Sequence, residues 1–90
     1  MSDRVSKEFE SVVVDIHLES RAEGRSRWRI ALDRSEFCEG DAGELEAVAP
    51  SGARLTIPVI RVERDEAGMV WHVVEKPLTE GTKVVGRVVR

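Results

Sequence analysis

Apolar and polar residues alternate with a period of two along most of this chain. Val12, Val14, Ile16 and Leu18 set the pattern, Trp28, Ile30 and Leu32 repeat it, and Met69, Trp71 and Val73 take it up again. Only an extended strand sends successive side chains to opposite faces, so the pattern demands half-buried β-strands and leaves little room for helices. Short runs of this kind between turn-forming residues predict an all-β fold, a small single-domain antiparallel β-barrel or roll of about six strands. At 90 residues, 41% apolar and 34% charged, the chain can bury one modest core and has no space for a second domain.

The expected strands run from Ser11 to Glu19, Arg27 to Asp33, Gly43 to Ala49, Arg54 to Arg64, through Met69 to Val73, and from Lys83 to Arg90. Residues 1–10 are polar around Val5 and Phe9 and read as a flexible N-terminal arm, with residues 11–90 as the domain. Asp33 followed three residues later by Glu36 has the spacing of a capping box, which predicts one short helical turn near residues 34–39 with Phe37 and Cys38 turned inward. Pro50-Ser51-Gly52 is a turn by composition. Pro58 has no N–H to donate, so its strand must lie at a sheet edge or bulge there, and the change of parity from Leu55 and Ile57 to Ile60 and Val62 favours a bulge near Pro58-Val59. Asp65-Glu66-Ala67-Gly68 reads as a type I turn, and a four-residue loop sets Arg64 opposite Met69, Val62 opposite Trp71 and Ile60 opposite Val73.

The sequence is poor in chemistry, with no nucleophile–base–acid set, phosphate loop or metal quartet, and the expectation is a non-catalytic protein without a cofactor. A net charge of −3 disfavours general affinity for nucleic acid or anionic membrane. Cys38 is the only cysteine, and no apolar run is long enough to span a bilayer. These features, with a polar start that lacks a signal-peptide core, suggest a cytoplasmic protein.

Three groups of residues stand as site candidates. Asp15, His17 and Glu19 share one strand face, and with His72 they make a possible divalent-metal set, weighed against ordinary cross-strand charge pairs. Arg21, Arg25, Arg27 and Arg29 surround Trp28 in a loop suited to single-stranded nucleic acid. Parity nevertheless turns Trp28 inward with Ile30 and Leu32. The third group is a surplus of apolar positions. Val59, Val70 and Val74 fall opposite the Trp71 face, and the last strand has Val84 and Val88 on one side with Val85 and Val89 on the other. Such strands are either covered on both sides or form an interface.

The leading expectation is therefore a binding or assembly module acting through protein–protein contact, self-associating as a homo-oligomer. Val59, Val70, Val74, Val85 and Val89 would supply the apolar contact, with Arg61, His72 and Arg87 at its margin. Charge is segregated as well. Residues 21–34 carry five arginines against two acids, residues 36–46 carry five acids and no base, and the two blocks can satisfy each other within the fold or pair head to tail between copies, the first being the expectation.

Overall fold

Seven strands, all antiparallel, form one sheet in a computed structural model that describes residues 6–89. They are β1 (Ser6–Ala22), β2 (Arg25–Leu32), β3 (Ala42–Val48), β4 (Arg54–Val59), β5 (Arg61–Arg64), β6 (Val70–Val74) and β7 (Lys83–Val89), in the order β4-β3-β7-β1-β2-β6-β5. The all-β reading holds. Seven strands appear where about six were expected because the stretch from Arg54 to Arg64 divides at Ile60. Its first half pairs with β3 and its second with β6, so the outermost strands of the sheet are consecutive in the chain. The Ile60 N–H donates to the Val73 carbonyl at 2.8 Å and fixes this corner. The result is a roll whose two borders are joined covalently, not a barrel closed by a ladder between β4 and β5. Pro58 sits on the outermost strand β4, where its missing N–H is tolerated.

β1 serves both halves of the roll. Ser6 to Val12 pairs with β7, and Val13 to Ala22 pairs with β2. Register shifts at Val14 and Glu19 mark bulges. A bulge reverses the parity of the residues beyond it, so Phe9, Ser11 and Val13 point into the core while Ile16 takes over beyond Val14. Val14 and Leu18 remain exposed. Residues 6–10 are thus strand, not arm, because Phe9 has an apolar slot to fill. The rest of the expected arm, residues 1–5, lies outside the described residues.

Two hairpins share one turn design. The Asp65 N–H donates to the Met69 carbonyl at 3.0 Å and the Gly68 N–H to the Asp65 carbonyl at 3.0 Å. Gly68 adopts a φ of 86°, open to glycine at no steric cost. This is a three-residue loop with a glycine bulge, and Ala49 to Ala53 repeats it around Gly52. Asp65 itself pairs with Met69, so Arg64 faces Val70, Val62 faces His72 and Arg61 faces Val73. The expected register was one residue off because Asp65 was counted as loop. In consequence Val70, His72 and Val74 lie on the core side of β6, and Trp71 and Val73 on the outer side.

The core gathers Phe9, Val13, Ile30, Leu45, Ile57, Val62, Val84 and Val88 from the strands, together with Phe37 and Leu78 from connections. No helical turn forms at residues 34–39. The Asp33 carboxylate turns back to accept from the Ser11 hydroxyl and the Val12 N–H, so it is not available to cap a helix. Ser35 Oγ accepts the Phe37 N–H at 3.1 Å, and the Asp41 carboxylate accepts the Cys38 N–H at 2.7 Å. Phe37 alone turns inward, and Cys38 is exposed. Among the described residues no helix is long and apolar enough to cross a membrane.

Candidate functional site

The outer side of the β1-β2-β6-β5 half holds an apolar layer beneath a charged roof. Ala31 and Val73 are 0% exposed and Trp71 is 7% exposed, yet none of the three belongs to the main core cluster. The register sets His17, Arg29, Val73 and Arg61 in one row across four strands, and Asp15, Ala31, Trp71 and Glu63 in the next. The Arg29 guanidinium lies 4.8 Å from the Trp71 ring centre, and the His17 ring meets Trp71 edge-on at 5.3 Å. Arg61 reaches Glu63 through Nε at 2.6 Å and Glu19 through Nη2 at 2.8 Å. The second contact bridges β5 to β1 across the strands between them. The Glu63 hydrogen bond, with Glu19 behind it, holds the Arg61 guanidinium more firmly protonated than an ordinary arginine. The Trp71 Nε1–H donates to Asp65 at 3.0 Å, the main reason the Asp65 carboxyl titrates below the usual carboxylate range.

This arrangement redistributes the candidate interface. Val59 and Val74 are core, Val70 packs against the core, and His72 is fully buried, so these four offer nothing to a partner. The doubled apolar pattern of β6 arises because β6 is an inner strand covered on both sides. On β7, also an inner strand, Val85 is half-buried and Val89 exposed on the outer side. Arg87 stands between them, its Nε, Nη1 and Nη2 donating to Glu8 at 2.7 Å, Glu44 at 3.0 Å and Glu46 at 2.7 Å. The Arg87 hydrogen bond holds the Glu46 carboxyl below its usual range. With its three nitrogens engaged, Arg87 has little left for a partner's carboxylate. The two charge blocks do not neutralise one another as expected. Arg34 and Glu36 meet at their boundary, while Glu44 and Glu46 turn to Arg87 from the far end of the chain.

The metal set is not assembled. His17 Nε2 contacts Asp15 at 3.1 Å on the outer side, but His72 points into the core. Among the described residues no group of three or more His, Cys, Asp or Glu is placed to hold a metal ion. His72 instead bonds the Ile30 carbonyl through Nδ1 and Ser35 Oγ through Nε2, both at 2.8 Å. A serine on a histidine has the form of a nucleophile and base. Here a backbone carbonyl occupies the place of the orienting carboxylate, and the contact ties residues 33–41 to β6.

The expected arginine loop is mostly strand. Glu23 and Gly24, with φ of 52° and 78°, make a two-residue turn between Ala22 and Arg25. Arg21, Arg25 and Arg27 make no ion pair among the described residues, and Trp28 is partly buried against the core as parity required. Trp71 is covered, and Trp28 leaves only part of its surface open beside the arginines.

Two features of the surface could not be read from residue types. One is a groove of about 780 Å³ between the β3–β4 hairpin and residues 79–83, lined by Ala47, Ala49, Pro50, Ala53 and Leu55. A second of about 450 Å³ shares Arg54 and Lys83 with it. The other feature is a border. The ladder of β1 with β7 ends at Val12, and Val13 exchanges hydrogen bonds with Gly81 and Thr82. Beyond it, among the described residues, no strand pairs with that side of β1 from Val14 to Ala22, and Val14 and Leu18 are 44% and 45% exposed. The pairing pattern of a strand's second edge leaves no trace in its own residues. No protein-family model matches the chain, and no curated protein is similar to it.

Proposed function

We propose that this chain is a non-catalytic β-roll that works by protein–protein contact, assembling with a second copy through the open side of β1. The observation that carries the reading is the unpaired stretch from Val14 to Ala22, with exposed Val14 and Leu18 beside it. An unpaired edge of that length, roughly 30 Å at strand rise, is a template for strand addition. A second copy fits because an antiparallel pair of identical strands is self-complementary about a two-fold axis. An axis at His17 sets Ile16 of each copy against Leu18 of the other, on the side where Ile16 already meets the core. The bulges at Val14 and Glu19 limit the regular pairing to the run between them. The lone cysteine supports a cytoplasmic setting.

Sedimentation velocity at tens of micromolar tests this directly. A dimer that dissociates when Leu18→Lys places a charge on the edge is the expected result. A wild-type monomer across the accessible concentration range would sink the reading.

A second reading, single-stranded nucleic acid at the β1–β2 tip, rests on Arg21, Arg25 and Arg27, which make no ion pair among the described residues. Titration with short oligonucleotides at low and high salt decides it, because phosphate-driven binding weakens steeply with salt. Absence of binding at low salt removes it.

A further inference from the structure

Residues 33–41 cross from the end of β2 to the start of β3 and are fastened to the roll at a few points. Ser35 bonds His72, the Phe37 ring packs edge-on against Phe9 at 5.8 Å and His72 at 5.1 Å, and the Gly40 N–H donates to the Val62 carbonyl at 3.3 Å. The last contact covers part of the border of β5. Asp33 forms a separate anchor on Ser11 and Val12.

We propose that this segment is an acid-released strap, held down by His72 in its neutral form. The hydrogen-bond directions suit that form. Ser35 Oγ already accepts the Phe37 N–H, so its own hydrogen is available to donate to His72 Nε2, while Nδ1–H donates to the Ile30 carbonyl. A proton added at Nε2 would place two donors against each other until the hydroxyl turned away, and would leave a cation fully buried.

The surroundings give that cation no partner. β2 presents the Ile30 carbonyl, β5 presents Val62, the strap presents Ser35 and Phe37, and β6 itself presents Val70 and Val74. The strap's four carboxylates are placed elsewhere: Asp33 turns to Ser11, Glu36 toward Arg34 and Lys7, Asp41 to the Cys38 N–H, and Glu39 is exposed at the surface. Burial accordingly pushes the His72 imidazole below its usual range, opposed only by the Ile30 bond. An opened strap exposes His72 and lets it titrate normally, so each proton taken up favours the open state. Asp33 is held below the ordinary carboxylate range chiefly by Ser11, so its anchor persists to lower pH.

Native-state hydrogen exchange followed by NMR, with His72 ring signals recorded alongside, tests the strap. After correction for intrinsic exchange rates, the opening constant of the Phe37 and Gly40 amides should rise as pH falls below the ordinary histidine pKa of about 6.5, by up to about tenfold per pH unit, until His72 in the closed form takes up the proton itself. The Leu45 and Val84 amides should not follow over the same range. His72→Gln should remove that dependence. Ser35→Ala, which keeps the buried ring, should raise Phe37 and Gly40 opening at neutral pH and leave Leu45 unchanged. Three results overturn the proposal: joint opening of Gly40 and Leu45, His72 titrating near 6.5 with Gly40 protection unaltered, or a Ser35→Ala strap as protected as wild type. None of them bears on the assembly state, so the strap and the β1 border stand or fall separately.

Discussion

Phe9 and Gly86 are opposed across β1 and β7, and the ring occupies the space where a side chain at residue 86 would stand. A β-carbon there would run into the ring edge. Gly86→Ala should therefore destabilise by about 1–3 kcal/mol through overpacking, against the general preference of strands for side chains. Denaturant unfolding measures the cost, and a much smaller cost in a Phe9→Leu background would locate it in the ring. Asp65 works through its carboxylate, which accepts from the Ala67 and Met69 N–H groups and from the Trp71 indole. Its titration is displaced downward, so the stabilisation is complete above the unfolded carboxyl pKa of about 4 and fades as pH falls through the lower folded value. Asp65→Asn should lower the Tm at neutral pH by several degrees and shrink the drop between pH 5 and pH 2. Thermal melts across that range check both, and unchanged acid sensitivity would assign the drop to Asp33 and Glu46.

Among the elements, β6 shows what alternation conveys and what it conceals. Five consecutive non-polar or histidine positions in Val70–Val74 signal a strand that is either covered on both sides or part of an interface, and the sequence did not decide between the two. Which side faced the core was not legible either, because a one-residue slip at Asp65 exchanges the two faces. The positions of Val74 and His72 inverted for that reason. The bulges in β1 were equally hidden, since they arise from pairing with β2 and leave the alternation of Val12 to Leu18 looking unbroken. The turns at Pro50-Ser51-Gly52 and Gly68 and the inward Trp28 were readable from local chemistry, whereas the change of parity after Pro58 pointed to a bulge and in fact marks the division at Ile60, with Pro58 on the edge strand β4. The tie between Ser35 and His72 joins residues 37 apart in sequence and was beyond reach. Val73→Ala should cost about 2 kcal/mol although Val73 lies on the side away from the main core, because Arg61 and Glu19 close over it. Val85→Ala on the outer side of β7 should cost about 0.5 kcal/mol or less. Equal losses in chemical denaturation would contradict the two-layered description of the roll.

At the scale of the molecule, β7 is inserted between β1 and β3, so the half of the roll that holds β3 and β4 joins β1 only when that distant segment arrives. Pairing between distant segments makes folding slow, and refolding should take milliseconds to seconds. Stopped-flow fluorescence of Trp28 and Trp71 would record it, and a microsecond phase carrying the full amplitude would be inconsistent with this topology. The border strands β4 and β5 have no ladder between them, and Ile60 alone spans their junction. That single residue acts as a hinge pin. A flexible insertion beside it would let the sheet unfurl and turn one seam into two open margins, so a sequence change at the least chemically distinctive corner of the molecule would decide between a roll and an open sheet with two edges to pair.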